Sequence, residues 1–258
     1  MFKKILIVFS EKLTPKHKET IEKVQGELGE KISDVVIANS LTKDLFQDKD
    51  LIITIGGDGV FIRAACFLKE TPILGINSEP EFSEGALTSI DETQISSLKK
   101  ILNGGYKIKE MERIKITKNN TELPHFALDE IYVGASTQFH TSRYKIKFKG
   151  KEEEQRSSGV IIATSSGSNA WYKSAGGKPF TGKGILRFLV REPFCSERVF
   201  KPTLLTGEIK SKEFLEFEGK RFQGGILALD SNEVIEFKTG DKIKIELSNC
   251  PLNVLIID

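Results

Sequence analysis

The periodicity of this 258-residue chain changes once, near Asn103-Gly104-Gly105, and that change limits the fold more than any other feature. Before it, apolar β-branched runs at Ile5–Phe9, 32–38, Leu51–Ile55 and 73–76 alternate with amphipathic stretches at Pro15–Leu28, 60–68 and 93–102. Such alternation predicts a parallel sheet covered by helices. After it, short strands with period-two alternation follow at 145–149, 160–164, Ile185–Arg191, 213–218, 234–237 and Lys242–Leu247, separated by turns such as Thr239-Gly240-Asp241. That half is expected to be an all-β, antiparallel, sandwich-like domain. The expected division is therefore an α/β domain over 1–104 and a β-rich domain over 105–258. With no low-complexity linker between them, the halves are expected to pack closely, with a crevice at the junction.

The first segment carrying chemistry is LIITIGGDGVFIRAACFLK, from residue 51. A buried strand stops at Gly56-Gly57-Asp58-Gly59, and apolar residues at helical spacing follow at once. Gly56, Gly57 and Gly59 allow a tight turn and close approach of a ligand to the backbone. The helix start offers free N–H groups and a positive dipole end to phosphate. Asp58 places one carboxylate beside that site, suited to holding Mg²⁺ or taking a proton from an attacking hydroxyl. The plain alternative is that Asp58 only caps the helix. The spacing matches neither GxGxxG nor GxxxxGK[ST], so a phosphate site is indicated without a Rossmann or Walker fingerprint.

Composition removes several classes. Lys and Arg total 38 against 36 Asp and Glu, a net charge of +2 that gives no global field toward nucleic acid or membrane. The basic run Lys145, Lys147, Lys149 and Lys151 alternates with Ile146 and Phe148, the pattern of a wet strand face. Cys66, Cys195 and Cys250 are odd in number and widely spaced, which argues against a disulfide framework and for a reducing cytoplasm. His17, His125 and His140 lack the spacing of zinc ligands. No apolar run approaches the roughly 20 residues that span a bilayer, and Met1-Phe2-Lys3-Lys4 leads into a strand rather than a signal peptide.

The second segment is SSGVIIATSSGSNAWYKSAGG, from residue 157. A buried strand empties into small and polar residues, then into Trp171, the single Trp of the chain. Hydroxyls and N–H groups at a strand end can bond a ribose or a base edge, and an aromatic ring beside them offers a wall for a flat ring. This is a candidate purine-nucleoside site. Core packing of Trp171 is the alternative. A serine nucleophile is not indicated, because no GxSxG elbow occurs.

In this order, GGDG, ILGIN (residues 73–77), Leu128-Asp129-Glu130 and SSGSNAWYKSAGG resemble the NAD kinase family, over about residues 51–230. The wording Asn77-Ser78-Glu79-Pro80-Glu81-Phe82-Ser83-Glu84-Gly85 and Trp171 in place of Tyr are similar to its mitochondrial-type branch. The resemblance implies NAD bound in the crevice and transfer of the ATP γ-phosphate to the 2′-hydroxyl of the adenosine ribose, yielding NADP. It implies Asp58 as the catalytic residue, with Mg²⁺ or another divalent cation carried by the nucleotide. Asp129, Glu130, Ser166, Asn169, Ala170, Trp171 and Ser174 match positions lining the dinucleotide site. A homodimer or homotetramer is implied as well.

The chain departs from that pattern at several points. Asp129 stands in place of the family Asn, exchanging a donor–acceptor amide for a carboxylate that, when ionised, only accepts. Val60 replaces a Thr, Ser158 replaces an Asp, and Asp230-Ser231-Asn232 lacks the Gly of the late LDG turn. With the sequence ending at Asp258, the C-terminal helix of some relatives is expected to be absent. Two other classes share parts of the pattern. A GGDG-type lipid or sugar kinase has no use for the segment at 167–177, and a mean hydropathy of −0.21 advertises no lipid surface. A non-catalytic NAD(P)-binding protein would accommodate Asp129 and Val60.

Overall fold

The structure, a computed structural model, describes residues 2–137, 139–196, 198–220, 224–230 and 232–257. Ser231 of the late turn lies outside them, as do Met1 and Asp258. The chain divides into two compact units, residues 1–111 with 250–258, and residues 112–249.

The first unit runs β1 (Ile5–Phe9), α1 (Pro15–Leu28), β2 (Ile32–Ile37), β3 (Leu51–Ile55), α2 (Asp58–Ala65), β4 (Ile73–Asn77), β5 (Ile90–Asp91), α3 (Leu98–Leu102) and β6 (Lys107–Met111). β1 pairs in parallel with β2 and β3, β3 with β4, and β4 with β5. Every residue of β3 and β4 is buried, as expected of a parallel sheet with both faces covered. Each Leu or Ile buried there stabilises the fold by roughly 1.5–3 kcal/mol. Thr14 caps α1 by accepting from the His17 N–H at 3.2 Å, with Pro15 in the first turn. The expected helix over 93–102 shortens to a 3₁₀ turn at Ile95–Ser97 and α3. Asp91 and Gln94 cause this: Thr93 N–H donates to Asp91 Oδ1 at 2.8 Å and Asp91 N–H to Gln94 Oε1 at 3.2 Å, holding the segment in a turn.

The second unit contains β7 (Ile114–Lys118), β8 (Thr121–Glu122), β9 (Glu130–Ala135), β10 (Ser142–Phe148), β11 (Lys151–Ser157), β12 (Gly159–Ala163), α4 (Trp171–Ser174), β13 (Ile185–Arg191), β14 (Thr206–Lys210), β15 (Phe214–Gly219), β16 (Gly225–Leu229), β17 (Glu233–Glu236) and β18 (Lys242–Leu247). Two antiparallel sheets form, ordered β11-β10-β15-β18-β7-β8 and β14-β13-β12-β9-β16-β17. One core fills the space between them, with Ile146, Phe217 and Ile245 from the first sheet and Val133, Ile162 and Phe188 from the second. This is the expected sandwich. Lys145 and Lys147 lie on its wet face, paired with Glu152 at 2.9 Å and Glu216 at 3.5 Å, while Lys149 pairs with Glu213 at 3.1 Å.

The chain then returns to the first unit as β19 (Leu252–Ile256), parallel to β4 and antiparallel to β6. The division therefore falls at 111/112 instead of 104/105. β6 has the alternating pattern of an antiparallel strand, but its partner is β19 of the first sheet, and a local period cannot reveal a partner nearly 150 residues away.

Candidate functional site

In the first unit the GGDG turn connects β3 to α2. Gly56 has φ +148°, a conformation that side-chain-bearing residues avoid, and its N–H donates to Ile76 O at 3.0 Å. Gly57 lies against Ser83, leaving no space for a Cβ. α2 starts at Asp58, its N-cap is Gly57, and no side chain caps it. Asp58 is therefore not the cap of its helix. Its carboxylate instead reaches the segment after β4, accepting from Leu87 N–H at 2.8 Å and Ala86 N–H at 3.1 Å. Each oxygen keeps a further lone-pair direction for a proton or cation.

The segment that Asp58 grips is itself fixed. Asn77, buried at the end of β4, donates from Nδ2 to Ser83 O at 2.8 Å and accepts from Glu79 N–H at 3.2 Å. Glu79 accepts from the Thr14 hydroxyl at 2.8 Å and lies 3.4 Å from Nδ1 of the buried His17. The start of α1 thus holds the loop that holds Asp58. An open cleft of about 460 Å³ lies beside the turn, lined by Ser10, Lys12, Asn39, Gly57, Gly59 and Arg63 among others. Lys12 and Arg63 supply positive charge there beside the carboxylate of Glu11, and the first N–H groups of α2, at Asp58 and Gly59, have no helical carbonyl to bond. Together these features suit an extended polyphosphate.

In the second unit the strand register brings the second segment to Asp129 and Glu130. Ala163 at the end of β12 stands opposite Glu130 at the start of β9, and Leu229 at the end of β16 stands opposite Ile131. The turn after β12 therefore meets the turn before β9. Thr164 Oγ1 donates to Leu128 O at 2.8 Å and lies 2.9 Å from Ser166 Oγ, and Gly167 has no room for a Cβ because the Asp129 backbone fills that space. On the other flank Asp230 accepts from the N–H groups of Leu128 at 2.6 Å, Asp129 at 2.9 Å and Glu130 at 2.9 Å. Its own N–H donates to Glu130 O at 3.0 Å.

Three carboxyls, Asp129, Glu130 and Asp230, consequently converge. Burial pushes Glu130 up to about 8, and the charges of Asp129 and Asp230 add to the rise. Burial likewise pushes Asp230 up to about 7, against the backbone N–H groups that favour its anion. Glu130 is only 8% exposed, and its Oε2 is buried with no hydrogen-bond partner among the described residues. Among those residues no group of three or more His, Cys, Asp or Glu side chains is placed to hold a metal ion.

The rest of the second segment sits along a 3₁₀ turn, Gly167–Asn169, and α4. Asn169, Ala170 and Ser174 are exposed, and the Ser174 hydroxyl donates to Ala170 O at 3.3 Å. Trp171 is half-buried. Its ring lies 5.2 Å from that of Tyr132, with the Arg191 guanidinium 5.3 Å from the ring centre. It both packs and keeps an accessible edge. The structure thus gathers Asp129, Glu130 and Ser166 at one corner and sets Asn169, Ala170, Trp171 and Ser174 on the adjoining turn. Asp230 joins that corner although sequence reasoning gave it no site role. Its signal was present, an acid where a β-strand ends, but the partners lie about 100 residues upstream.

Comparison with known proteins bears on this geometry. Residues 5–106 match the model of the ATP-NAD kinase N-terminal domain. A probable NADH kinase of Oryza sativa subsp. japonica is 30% identical, over 93% of this chain and 81% of the relative. An NAD kinase of Thermoplasma volcanium is 32% identical, over 85% of this chain and 79% of the relative. A crystal structure of an NAD kinase from Archaeoglobus fulgidus in complex with ATP superposes with a TM-score of 0.72 at 23% identity, covering 99% of this chain and 93% of that one, a likeness of fold. Nothing in these similarities favours a lipid or sugar kinase, or a non-catalytic binder.

Proposed function

The chain belongs to the NAD kinase family, and from that premise we propose that it transfers the γ-phosphoryl group of ATP to the 2′-hydroxyl of the adenosine ribose of NAD, giving NADP. The observation that carries this reading is the GGDG turn, which has Lys12, Arg63 and the start of α2 along the cleft beside it and the carboxylate of Asp58 fixed on the N–H groups of residues 86 and 87. The triphosphate lies in that cleft in our reading, its charge met by the dipole end of α2 and the two cations. Asp58 takes the proton of the 2′-hydroxyl as the oxygen attacks phosphorus, and ADP leaves. The grip of Asp58 on Ala86 and Leu87 fixes its carboxylate at no cost in reorganisation during the reaction.

A divalent cation fits this site in one way. Mg²⁺ binds through one or two carboxylates plus phosphate oxygens and water, and Asp58 supplies one such carboxylate. When bound with the nucleotide, the ion would neutralise charge on the phosphate oxygens. The dinucleotide is bound by Asp129, Glu130, Ser166, Asn169, Ala170, Trp171 and Ser174 in this reading, supported by the corner that gathers the first three. The rice relative and the 77–85 loop support placement near the mitochondrial-type, NADH-using branch. Cysteines without a disulfide among the described residues suit a cytoplasmic setting, and sedimentation of the purified chain tests the homodimer or homotetramer that the family resemblance implies.

The deciding experiment mixes purified chain, ATP and Mg²⁺ with NAD or NADH and measures NADP or NADPH by enzymatic cycling. Saturable product formation with either acceptor is expected. Its absence with both would overturn the kinase reading.

A further inference from the structure

The corner built from Asp129, Glu130 and Asp230 contains three acids, and the neighbouring charges that act most on its two buried members are other carboxylates. Glu130 feels Asp129 from the same strand end and Asp230 from the end of β16; Asp230 feels Asp129 and the three N–H groups it accepts from. Buried carboxyls brought together oppose one another's ionisation, which favours retention of a shared proton. Asp230 accepts from three backbone donors, two at Oδ1 and one at Oδ2, and these bonds favour its anion. Glu130 differs from it, because its Oε2 is buried and meets no partner among the described residues. A buried carboxyl oxygen left unpaired is costly unless something later fills it.

We propose that Glu130 carries this shared proton and presents an O–H donor to an acceptor atom of the bound nucleoside, a ring nitrogen or a carbonyl oxygen, with Asp230 as its positioning residue. The inference rests on the dinucleotide-binding reading above. It also accounts for Asp129. An Asn at that position would supply an amide donor of its own; an Asp cannot, but its charge holds a proton on Glu130, so the corner still donates. Asp230 contributes twice, fixing the backbone of residues 128–130 and adding negative charge.

The test separates the proton from the kinase reading. The difference infrared spectrum of the ligand-free wild type minus Glu130→Gln at pH 7 should contain the C=O band of a buried protonated carboxyl. This readout needs neither substrate nor turnover, so it stands even if no NADP is formed. NAD affinity, followed by calorimetry, should weaken about tenfold from pH 7 to pH 9 as a group titrating near 8 loses its proton. In Glu130→Gln, whose amide donates at every pH, the affinity should stay level across that range and exceed wild type at pH 9. Asp230→Asn should move the midpoint to lower pH, which a residue with a purely structural role would not do. Should that variant fail to fold, the half-buried Asp129→Asn removes the other neighbouring charge and should shift the midpoint the same way. Absence of the band, or NAD affinity that is flat or rises with pH in the wild type, overturns the proposal.

Discussion

The two candidate regions are built on opposite principles. The phosphate turn is contiguous: strand, glycines, carboxylate and helix follow one another within residues 51–65, and its ligand-facing groups are largely backbone. The acid corner is assembled from residues 128–130, 164–167 and 230, which meet because β9 pairs with both β12 and β16. Asp58 is half-buried at the edge of an open cleft, whereas Glu130 and Asp230 are buried and charge-coupled. A contiguous site keeps its chemistry readable along the chain. An assembled one hides it, because burial and register create the electrostatics that matter.

The largest effect should come from the contiguous side. Asp58→Asn should cut turnover by roughly 10²–10⁴-fold, the usual range for loss of a general base, with NAD affinity and fold retained. Its oxygen can still accept one of the two N–H bonds, so stability should change little. A fully active variant, measured as initial NADP formation, would reduce Asp58 to a clamp for residues 86–87 and erase the contrast between the regions.

The assembled side should break through packing. Gly167→Ala forces a Cβ into the Asp129 backbone, and overpacking of this kind costs about 1–3 kcal/mol. Thermal or urea unfolding should record that loss together with weakened NAD binding. Gly59→Ala, with open space around its Cβ, should leave stability close to wild type. Equal losses at both glycines would mean that the 164–167 turn is not welded to residue 129.

These glycines show what was legible in the sequence. The GGDG turn, the sandwich and most strands could be read from local period and turn chemistry. The place of β6 could not, since β19 completes its sheet from the far end of the chain. Asp230 was visible only as a departure from a late turn. Its three bonds to residues 128–130 depend on pairing between β9 and β16, which no local pattern encodes. Glu79 and His17 were missed for the same reason. The lysines of β10 were read correctly as a wet face because alternation alone decides that question.

A pH titration of stability sharpens the contrast by a smaller margin. Glu130 and Asp230 have folded-state values raised to about 8 and about 7, from 4.5 and 3.8. Between the unfolded and folded values the unfolded chain binds fewer protons, so stability falls as pH rises. The contribution is complete below about pH 4 and is lost by about pH 8, with a slope of about 1.4 kcal/mol per pH unit for one group at its steepest. Urea midpoints at pH 5, 6.5 and 8 should decline in the wild type and decline less steeply in Glu130→Gln, where Asp230 still titrates. A midpoint that climbs over this range would show that both carboxyls are held as anions.

The smallest expected effect concerns Trp171, which lies between the two descriptions offered for it. Its ring packs against Tyr132 and beneath Arg191, yet it stays half-buried on a turn whose neighbours Asn169 and Ala170 are exposed. A ring held on one side and accessible on the other can register a ligand without contributing much of its affinity. As the single Trp, it makes the intrinsic emission a one-site probe. NAD should shift or quench that emission saturably, with a midpoint near KM where binding is rapid. Trp171→Phe keeps an aromatic ring against Tyr132, so its stability cost should remain under about 1.5 kcal/mol, with NAD affinity reduced by only a few-fold. An emission spectrum indifferent to saturating NAD, in a protein that still makes NADP, would assign Trp171 to packing alone. The dinucleotide contacts of the second unit would then be confined to the acid corner and Ser166.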